Sequence, residues 1–490
     1  MTAFRITPAT SVFTDVFRAH AFAADSAGPD SLTVDAGAFL VANRLGMGAY
    51  LEGTGAWTVS IAGAVVSTYE EGLMVAPGAD GSRIAVSAEG SVSGKIGIAL
   101  VSAGTVENAG SIVGTTFYGI QVDKGATHTI VNSGTIEAPV AIGDSLGVAA
   151  DSITNSGTLA GGVYLNGGAD SLVNSGTITA YVELGDGADV LTNFATRAGV
   201  TVNGSIGGII DLGAGNDRFT GGANVERVQD GDGADNVALG AGDDRYLSTG
   251  NAGADGLDTV AGGSGTDTWD ASASTVAVAV NLDTVAHTLA PVTTAGGTLA
   301  AQTATGASVA GTSSDRINGF ENAAGGAAAD RLHGSAAENL LEGNGGTDML
   351  FGYGGNDTLS GGASLDNLVG GAGRDILTGG ADADSFDFAA RSDSGATTAT
   401  RDVITDFEDV RDVINLAGID ADSTRAGNDA FSFIGMHAAF TGHGGELRAV
   451  FSGSGELIEA DTNGDGLADF SIALRDTAHS IVLSGADFIL

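Results

Sequence analysis

One apolar residue recurs at every ninth position between residues 325 and 387, and a glycine-rich segment precedes each one. Glycine allows left-handed backbone conformations, whereas a large apolar residue with β-forming neighbours favours a short strand. The pattern therefore predicts seven nonapeptides, each a loop and a strand, with two completing an 18-residue solenoid turn. Position eight holds Leu332, Leu341, Leu350, Leu359, Leu368, Leu377 and Phe386.

Position six of the same nonapeptides holds a short acidic or amide residue, which suits a tight loop. These residues are Asp330, Asn339, Asp348, Asp357, Asp366, Asp375 and Asp384. An earlier block follows the same rule, with an apolar residue two positions after each acid. Its acids are Asp217, Glu226, Asp235 and Asp244, followed after a slip of five residues by Asp258 and Asp267.

Loops 18 residues apart stack directly in such a solenoid, so their position-six carboxylates form columns. Stacked carboxylates repel unless a cation lies between them, and hard oxygen ligands suit Ca²⁺. Asp as a simple turn former is the alternative, and its strict period favours calcium. The predicted metal ligands in these blocks are Asp217, Asp235, Asp244, Asp258, Asp267, Asp330, Asp348, Asp357, Asp366, Asp375 and Asp384.

The spacing resembles the RTX nonapeptide G-G-x-G-x-D-x-U-x, and the resemblance implies calcium-binding β-roll structure with several bound Ca²⁺. On this register Asp330, Asp348, Asp366 and Asp384 share one edge, and Asp357 and Asp375 share the other. Asn339 is expected to weaken the start of the second column, and Glu226 fits a tight loop less well than Asp.

A second repeat precedes the nonapeptides. VNSGTI, TNSGTL and VNSGTI recur, with Asn residues spaced 24, 23, 19 and 19 apart, at Asn108, Asn132, Asn155, Asn174 and Asn193. A period near 20 with β-branched residues and Asn-Ser-Gly turns predicts a β-helix that resembles adhesin repeats. The Asn side chains are expected to form an internal ladder at one corner. The 19-residue coil can narrow into the 18-residue roll without a break, so we expect one long solenoid.

The C-terminal hundred residues lose the nine-residue period and alternate with period two, which predicts a β-rich cap. Residues 402–421, 431–435 and 459–474 resemble the C-terminal domain of the serralysin family of RTX metalloproteases. That resemblance implies an uncleaved type I secretion signal and export by type I secretion machinery to the cell exterior.

An EF-hand-like spacing lies inside this cap. Asp461, Asn463, Asp465 and Asp469 take positions 1, 3, 5 and 9, with Gly466 at position 6. Position 12 is Ile472, so the bidentate Glu of an EF-hand is missing. The segment is either a weaker calcium site or an Asx-rich hairpin turn.

These patterns divide the chain into six predicted regions of an all-β, elongated β-solenoid. An Ala/Thr-rich stretch that is either a hairpin excursion or a mobile loop separates the two nonapeptide blocks. The regions are an N-terminal arm (1–30), a β-helix (31–205), a first β-roll block (206–270), the insertion (271–324), a second β-roll block (325–387) and the cap (388–490).

Composition narrows the function. The net charge of −41 argues against nucleic-acid and anionic-lipid partners, because both bind to Lys- and Arg-rich surfaces that neutralise their phosphates. Zero Cys excludes disulfides, thiolate nucleophiles and Cys-based zinc sites. No apolar run is long enough for a transmembrane helix, and the N-terminus has no secretory leader pattern.

Enzyme signatures are equally sparse. The chain has no H-E-x-x-H, no G-x-S-x-G and no P-loop. A β-helix followed by RTX modules also resembles mannuronan epimerases and some polysaccharide lyases, for which Tyr118 and His128 are the candidate acid–base pair. We therefore expect a secreted, non-enzymatic, calcium-binding surface protein: a surface-layer or filament subunit, or an adhesin. Self-association and a cell-surface glycan are its expected partners, and a carbohydrate-active enzyme or glycan-binding module is the alternative.

Overall fold

The structure is a computed structural model with two compact units, Met1–Asp244 and Arg245–Leu490. It describes residues 3–14, 22–26, 30–43, 46–122, 125–144, 147–229, 231–248, 256–285, 287–289, 292–294, 297–299, 302–304, 308–310, 314–453, 455–475 and 481–490. Both units are all-β, with short 3₁₀ helices at Pro8–Thr10 and Gly485–Asp487. Within the described ranges no helix is long and apolar enough to cross a membrane.

The first unit is built from short strands of two to ten residues. They are β1 (Ala3–Ile6), β2 (Val12–Thr14), β3 (Phe22–Ser26), β4 (Asp30–Val34), β5 (Phe39–Ala42), β6 (Ala49–Gly53), β7 (Trp57–Ile61), β8 (Ala64–Ser67), β9 (Leu73–Val75), β10 (Ser82–Val86), β11 (Ser91–Gly94), β12 (Ile98–Leu100), β13 (Gly104–Asn108), β14 (Ser111–Gly114), β15 (Tyr118–Val122), β16 (His128–Asn132), β17 (Thr135–Asp144), β18 (Ser152–Asn155), β19 (Thr158–Tyr164), β20 (Ser171–Asn174), β21 (Thr177–Ile178), β22 (Val182–Glu183), β23 (Asp186–Gly187), β24 (Val190–Thr192), β25 (Phe194–Arg197), β26 (Val200–Asn203), β27 (Ser205–Ile206), β28 (Ile210–Asp211), β29 (Ala214–Gly215), β30 (Arg218–Thr220), β31 (Arg227–Gln229) and β32 (Asn236–Ala241).

These strands stack as three parallel ladders, so the first unit is a three-faced β-helix. The first face runs β1-β4-β7-β10-β13-β16-β18-β20-β24-β30-β32. The second runs β2-β5-β8-β11-β14-β17-β19-β21-β27. The third runs β3-β6-β9-β12-β15-β17-β19-β22-β28-β31, so β17 and β19 each serve two faces.

Alternation explains the core of this unit. Successive strand residues point to opposite sides of a sheet, so one set points inward in every coil. Ile84, Val106, Ile130 and Ile153 are register partners on adjacent strands, and all four are buried. Each coil therefore covers the apolar residues of the next, and no coil buries its face alone.

The described strands among the first thirty residues are paired, whereas the sequence predicted an arm at 1–30. β1, β2 and β3 pair in parallel with β4, β5 and β6, respectively. The described residues 3–14 and 22–26 thus belong to a coil of the β-helix. The apolar–polar alternation of Phe4 and Ile6 was too short to show this, because the stacking partner lies 28 residues further along.

The predicted asparagine ladder is confirmed. The Nδ2 group of each Asn donates to Oδ1 of the Asn one coil later, from Asn108 through Asn132, Asn155 and Asn174 to Asn193, over 2.7–2.8 Å. All five side chains are buried. Buried amides need partners, and the repeat supplies one in the adjacent coil.

The second unit contains the remaining strands. They are β33 (Arg245–Leu247), β34 (Thr259–Ser264), β35 (Thr268–Asp270), β36 (Ala279–Asn281), β37 (His287–Leu289), β38 (Val292–Thr294), β39 (Gly297–Leu299), β40 (Gln302–Ala304), β41 (Ser308–Ala310), β42 (Ser314–Asn318), β43 (Asn322–Ala324), β44 (Arg331–His333), β45 (Leu340–Gly345), β46 (Met349–Gly354), β47 (Thr358–Ala363), β48 (Asn367–Ala372), β49 (Ile376–Ala381), β50 (Ser385–Asp387), β51 (Asp402–Ile404), β52 (Val413–Asn415), β53 (Ser432–Met436), β54 (Glu446–Ser452), β55 (Gly455–Asp461), β56 (Phe470–Arg475) and β57 (Phe488–Ile489).

The second unit is a two-faced parallel roll. One face runs β36-β44-β46-β48-β50-β52-β57 and the other runs β33-β35-β43-β45-β47-β49-β51-β56. Leu341 pairs with Leu359 and Leu359 with Leu377, which confirms the predicted 18-residue turn. The position-eight residues are fully buried between the two faces.

Two excursions leave the roll. Between β36 and β42 the chain forms antiparallel pairs, β37 with β40 and β38 with β39, which is the hairpin form of the predicted insertion. The C-terminal region, for which the period-two pattern predicted a β-rich cap, adds the antiparallel meander β54-β55-β56. The last strand of that meander, β56, stacks in parallel on β51 of the roll.

Candidate metal centres

The loops of the roll have a fixed backbone conformation. Positions two and four of the nonapeptide take positive φ, as at Asn344 (71°), Tyr353 (72°), Ser364 (85°) and Asp382 (82°). Glycine takes this conformation at no steric cost, which explains its frequency at both positions. The loop therefore turns tightly, and its position-six side chain returns to the edge of the roll.

The first glycine of each nonapeptide is required for a different reason. A β-carbon at Gly361 would overlap Oδ2 of Asp366 and lie 2.7 Å from the carbonyl oxygen of Gly379 in the next coil. A β-carbon at Gly343 or at Gly370 would likewise overlap Oδ2 of the Asp five residues later. The carboxylate thus occupies the space that a side chain at position one would fill.

We expect Gly361→Ala to destabilise the second unit by about 1–3 kcal/mol, the usual cost of overpacking. Gly354→Ala is the matched control, since its β-carbon would meet nothing closer than 3.7 Å and neither glycine has a positive φ. Urea unfolding of both variants in calcium measures the difference. Equal midpoints for the two variants would show that the carboxylate does not occupy this space.

The position-six carboxylates on the first edge of the roll are joined by one repeated hydrogen bond. The backbone N–H of Asp330 donates to Oδ1 of Asp348 over 2.7 Å. Asp348 donates likewise to Asp366 over 2.8 Å, and Asp366 to Asp384 over 2.9 Å. At the start of this column, Oδ2 of Asp330 accepts the N–H of Gly326 over 2.6 Å.

The opposite edge carries a second column. The N–H of Asn339 donates to Oδ1 of Asp357 and that of Asp357 to Asp375, each over 2.8 Å. The column then continues beyond the repeats, because Asp375 donates to Oδ1 of Asp402 over 2.8 Å. The first column likewise ends at Asp412, which accepts from Asp384 over 3.0 Å.

The remaining predicted ligands of the second unit occupy equivalent places. The N–H of Asp258 donates to Oδ1 of Asp315 over 3.1 Å, and that of Asp267 to Oε2 of Glu321 over 2.8 Å. Both predicted residues are buried. Their partners lie 57 and 54 residues further along, beyond the antiparallel pairs β37–β40 and β38–β39.

The last coils of the first unit repeat this hydrogen bond from a backbone N–H to the carboxylate one coil later. Asp189 donates through its N–H to Oδ1 of Asp217 over 2.7 Å, and Asp217 donates to Asp235 over 2.8 Å. On the opposite edge, the N–H of Glu226 donates to Oδ1 of Asp244 over 2.7 Å.

Glu226 joins two ladders that the sequence presented as separate. Its Oε1 accepts Nδ2 of Asn193, the last member of the asparagine ladder, over 2.9 Å. Its backbone N–H belongs to the column of acids described above. One corner of the β-helix therefore becomes one loop edge of the nonapeptide coils, and the longer Glu side chain spans the change.

In part of the columns, the second carboxylate oxygen is the feature that points to a cation. In those residues it is buried and accepts no hydrogen bond, although a buried carboxylate oxygen without a partner costs several kcal/mol. The residues with such an Oδ2 atom include Asp170, Asp189, Asp217, Asp348, Asp357, Asp366, Asp375, Asp384 and Asp402.

Burial also raises the pKa of these groups. Burial, with the charges of Asp330 and Asp366, raises the pKa of Asp348 to about 8. Burial and the charge of Asp375 raise the pKa of Asp402 to about 9. Burial raises the pKa of Asp357 and of Asp366 to about 7. Each carboxylate is therefore costly to ionise in the folded protein unless a cation compensates its charge.

The available ligands fit calcium. Across the described ranges, no three His, Cys, Asp or Glu side chains cluster tightly enough to hold a metal by themselves. A cation between two coils would instead take the Oδ2 atoms of stacked Asp residues and complete its shell with loop carbonyls or water. Such an all-oxygen, flexible ligand set is the preference of Ca²⁺.

The EF-hand-like loop has a different arrangement. Both carboxylate oxygens of Asp461 accept backbone N–H groups of the loop, including that of Gly466 over 2.8 Å. Asp469 accepts from Thr462 and Asn463, and the N–H of Asp465 donates to Oδ1 of Asn463 over 2.8 Å. The calcium site predicted at Asp461, Asn463, Asp465 and Asp469 stays a prediction, and the Asx-turn bonds account for the loop.

Seven further acids lie in the columns and are not among the predicted ligands: Asp151, Asp170, Asp189, Asp315, Glu321, Asp402 and Asp412. Each stands two residues before a buried apolar side chain, as every position-six Asp does. This Asp-x-apolar signal was readable, but it does not repeat at nine residues outside the two blocks. Segments of variable length between these loops obscured the signal. Two loops can stack at one edge of the solenoid whatever the length of chain between them.

The raised pKa values predict an unusual pH dependence for calcium-free protein. The pKa of an unfolded Asp is ~3.9, whereas burial raises the pKa of the folded groups to values from about 6 at Asp375 to about 9 at Asp402. The folded state therefore holds more protons, and this stability is present at low pH and lost as the pH rises through the folded values. We expect calcium-stripped protein to gain β-sheet circular dichroism when the pH is lowered from about 8 to about 5. A loss of signal over this range would contradict the burial of the carboxylates.

Tyr118 and His128, the two residues considered for the enzyme alternative, lie on different faces of the β-helix. Tyr118 lies on β15 in the third face of the first unit, whereas His128 begins β16 in the first face. The His128 ring is buried against Oδ1 of Asp151 at 3.1 Å. His128 thus stacks on Asp151, at the end of the column of acids that continues to Asp170.

Comparison with known proteins identifies two families in parts of this chain. Residues 347–489 match the C-terminal region of the serralysin peptidases (peptidase M10). Residues 209–225 and 324–359 match the RTX calcium-binding nonapeptide repeat. No curated protein matches the chain.

Matching solved structures include two subunits of an Azotobacter vinelandii mannuronan C5-epimerase. The AlgE6R3 subunit is 30% identical, with 33% of this chain and 78% of that chain covered and a TM-score of 0.18. The AlgE6R2 subunit is 28% identical, with 34% and 91% covered and a TM-score of 0.19.

The chain therefore carries RTX calcium-binding repeats and a serralysin-type C-terminal region. Its repeats bind Ca²⁺, and it is a secreted protein. These conclusions confirm the cofactor and the location that the nonapeptides and the C-terminal resemblance predicted.

Proposed function

We propose that this secreted calcium-binding protein is a structural component of the cell surface, as a surface-layer or filament subunit or an adhesin. It folds when it meets extracellular calcium and then associates with further copies of itself. The position-six Asp residues of the repeats are its calcium ligands. The observation that carries the proposal is a regular outward surface on the first face of the β-helix.

This surface, called here the short-residue face, is one row of register partners on adjacent strands. All but one of its members are short or β-branched, and they lose little rotamer freedom when buried. A row at the strand spacing can therefore lie against the same row of a second copy. Its members are Thr33, Ser60, Ala85, Glu107, Val131, Thr154, Val173, Thr192 and Thr220.

Charge makes this association depend on calcium. A net charge of −41 drives copies apart and opposes compact structure. Where calcium is scarce, as inside a cell, the chain stays extended, in a form that type I secretion machinery can export. Outside, sites with dissociation constants of order 10⁻⁴–10⁻³ M fill, and binding supplies folding free energy. The match of residues 347–489 to the serralysin C-terminal region supports this route.

Electron microscopy of purified protein in millimolar calcium, beside a chelated control, tests the proposal. Ordered sheets or filaments are expected only with calcium. Thr154→Arg places a charge in the short-residue face and should abolish the order while leaving the fold intact. Thr196→Arg in the exposed hairpin β25–β26 is the matched control. Dispersed, folded particles of the unsubstituted protein in calcium would contradict self-association.

Glycan binding is the second candidate function, and a cluster of tyrosine side chains supports it. The rings of Tyr164 and Tyr181 meet edge to face at 4.7 Å on the third face, beside Glu183. Burial first, and a hydrogen bond to Tyr164 next, raise the pKa of Tyr181 above its usual value. Such a phenol is a poor base at neutral pH, so the cluster suits binding better than proton abstraction. Turnover of alginate or pectin that Tyr118→Phe abolishes would favour the enzyme instead.

A further inference from the structure

Two loops of the β-helix resemble the calcium loops, although both lie before the residues that match the RTX repeat. They are the 166–170 loop, Asn-Gly-Gly-Ala-Asp, and the 185–189 loop, Gly-Asp-Gly-Ala-Asp. A backbone bridge between Gly167 and Asp186 stacks one loop on the other. The second loop stacks in turn on the first RTX-matched coil, through the pairing of β23 with β29.

The hydrogen bonds of these loops repeat those of the roll. The N–H of Asp151 donates to Oδ1 of Asp170, and that of Asp170 to Oδ1 of Asp189, each over 2.6 Å. Asp189 then donates to Asp217, the first acid of the RTX-matched coils, over 2.7 Å. The column therefore continues without a break from the matched coils into the unmatched ones.

The free carboxylate oxygens give the independent sign of a ligand. Asp170 is 2% exposed and Asp189 is 1% exposed. The Oδ2 atom of each is buried and has no hydrogen-bond partner. No ion pair to Lys, Arg or His is formed by either residue in the described structure.

The backbone adds further oxygen ligands at the same corner. A β-carbon at Gly187 would overlap the carbonyl oxygen of Gly168 and lie 2.9 Å from Oδ1 of Asp189. Glycine at 187 thus leaves a carbonyl and a carboxylate from two coils close together. Carboxylate and carbonyl oxygens without competing nitrogen or sulfur ligands select a hard divalent cation.

We infer that the 166–170 and 185–189 loops form a further calcium site, held by the Asp170 and Asp189 carboxylates with loop carbonyl oxygens. The inference rests on the calcium ligation proposed for the RTX coils and extends it into the β-helix. Calcium then fixes the β-helix coils directly, in addition to the coils of the nonapeptide blocks.

Native mass spectrometry of the full chain in calcium tests the site, because it counts bound ions. Asp170→Asn should bind at least one calcium fewer than the unsubstituted protein. It keeps the Oδ1 atom that accepts the Asp151 amide, so the coil retains its hydrogen bond. Asp80→Asn, the same substitution at an exposed position of the β-helix outside the two loops, should bind the full number.

Hydrogen–deuterium exchange at saturating calcium locates the change. Residues 158–192 should lose protection in Asp170→Asn, whereas residues 340–387 should keep it.

An unchanged ion count in Asp170→Asn would overturn the inference and leave the proposal for the repeat sites unaffected. An unsubstituted chain that binds no calcium would overturn both proposals. If Asp170→Asn loses its β-sheet circular dichroism, Asp170→Glu, which keeps a carboxylate, serves as the second variant. A folded Asp170→Glu with the full ion count supports the site, and one with a reduced count contradicts it.

Discussion

In neutral buffer, removal of calcium is expected to unfold the unit Arg245–Leu490. Sites with dissociation constants of about 10⁻⁴–10⁻³ M contribute about 1.4–2.7 kcal/mol each at about 10 mM calcium. Four such sites supply about 6–11 kcal/mol, comparable to the whole stability of a typical domain of about 5–15 kcal/mol. Without calcium, the buried carboxylates of the two columns oppose folding instead.

Circular dichroism and urea unfolding, in calcium and after chelation, measure this effect. Magnesium at the same concentration is the matched control, since Mg²⁺ demands near-octahedral geometry and gives up its water reluctantly. Calcium should restore the β-sheet signal and a cooperative transition, whereas magnesium should not. An unfolding midpoint that is the same with calcium and with chelator would contradict ligation by the position-six carboxylates.

Asp366→Asn is expected to change stability in opposite directions with and without calcium. Without calcium at pH ~8, the substitution removes a buried carboxylate whose ionisation costs on the order of 4 kcal/mol, since the pKa of Asp366 is raised to about 7 by burial. The variant should therefore be more stable than the unsubstituted protein. In calcium it lacks a charged ligand and should be less stable by about 1.5–3 kcal/mol.

Asn339 shows how the amide is accommodated at this position. Its Nδ2 donates to the carbonyl oxygen of Glu321 one coil earlier, over 2.6 Å. An amide at 366 has the carbonyl of Asp348 in the corresponding place, so the substitution need not leave a buried donor unsatisfied.

Urea unfolding of Asp366→Asn in both conditions checks the reversal of sign. Where the calcium-free chain is too unstable for a urea transition, the β-sheet signal of the two proteins at one pH gives the same comparison. Asp382→Asn, an exposed carboxylate in the adjacent nonapeptide loop, is the matched control and should show little change in either condition. A loss of stability in both conditions would mean that the carboxylate has a structural role independent of calcium.

Local spacing accounts for the parts of the fold that the sequence predicted well. A coil of the roll is complete in 18 residues, and each contact repeats between residues one coil apart, as for Leu341, Leu359 and Leu377. Glycine at position one, positive φ at positions two and four, and Asp at position six are properties of single loops. The asparagine ladder was readable for the same reason, because each amide meets its copy in the next coil.

Pairings across long intervals could not be predicted in this way. β36 meets β44, and Asp258 meets Asp315, only after the insertion has left the roll and returned. Asp375 meets Asp402 at a separation of 27 residues because the chain makes an excursion between β50 and β51. A stacked column fixes the position of the next strand in the solenoid. It does not fix the length of the segment that connects the two strands.

The sequence by itself determined the all-β solenoid class, the 18-residue turn of the repeats, the calcium chemistry and the asparagine corner. Only the tertiary structure decided that the β-helix has three faces, that β1, β2 and β3 belong to it, and that Glu226 links the two ladders. It also decided which acids keep a buried oxygen without a hydrogen bond, as Asp170 and Asp189 do. The physical reason is that periodicity records contacts between equivalent residues of successive coils. Burial and hydrogen-bond satisfaction depend on whichever chain segment closes over a residue, whatever its distance in sequence.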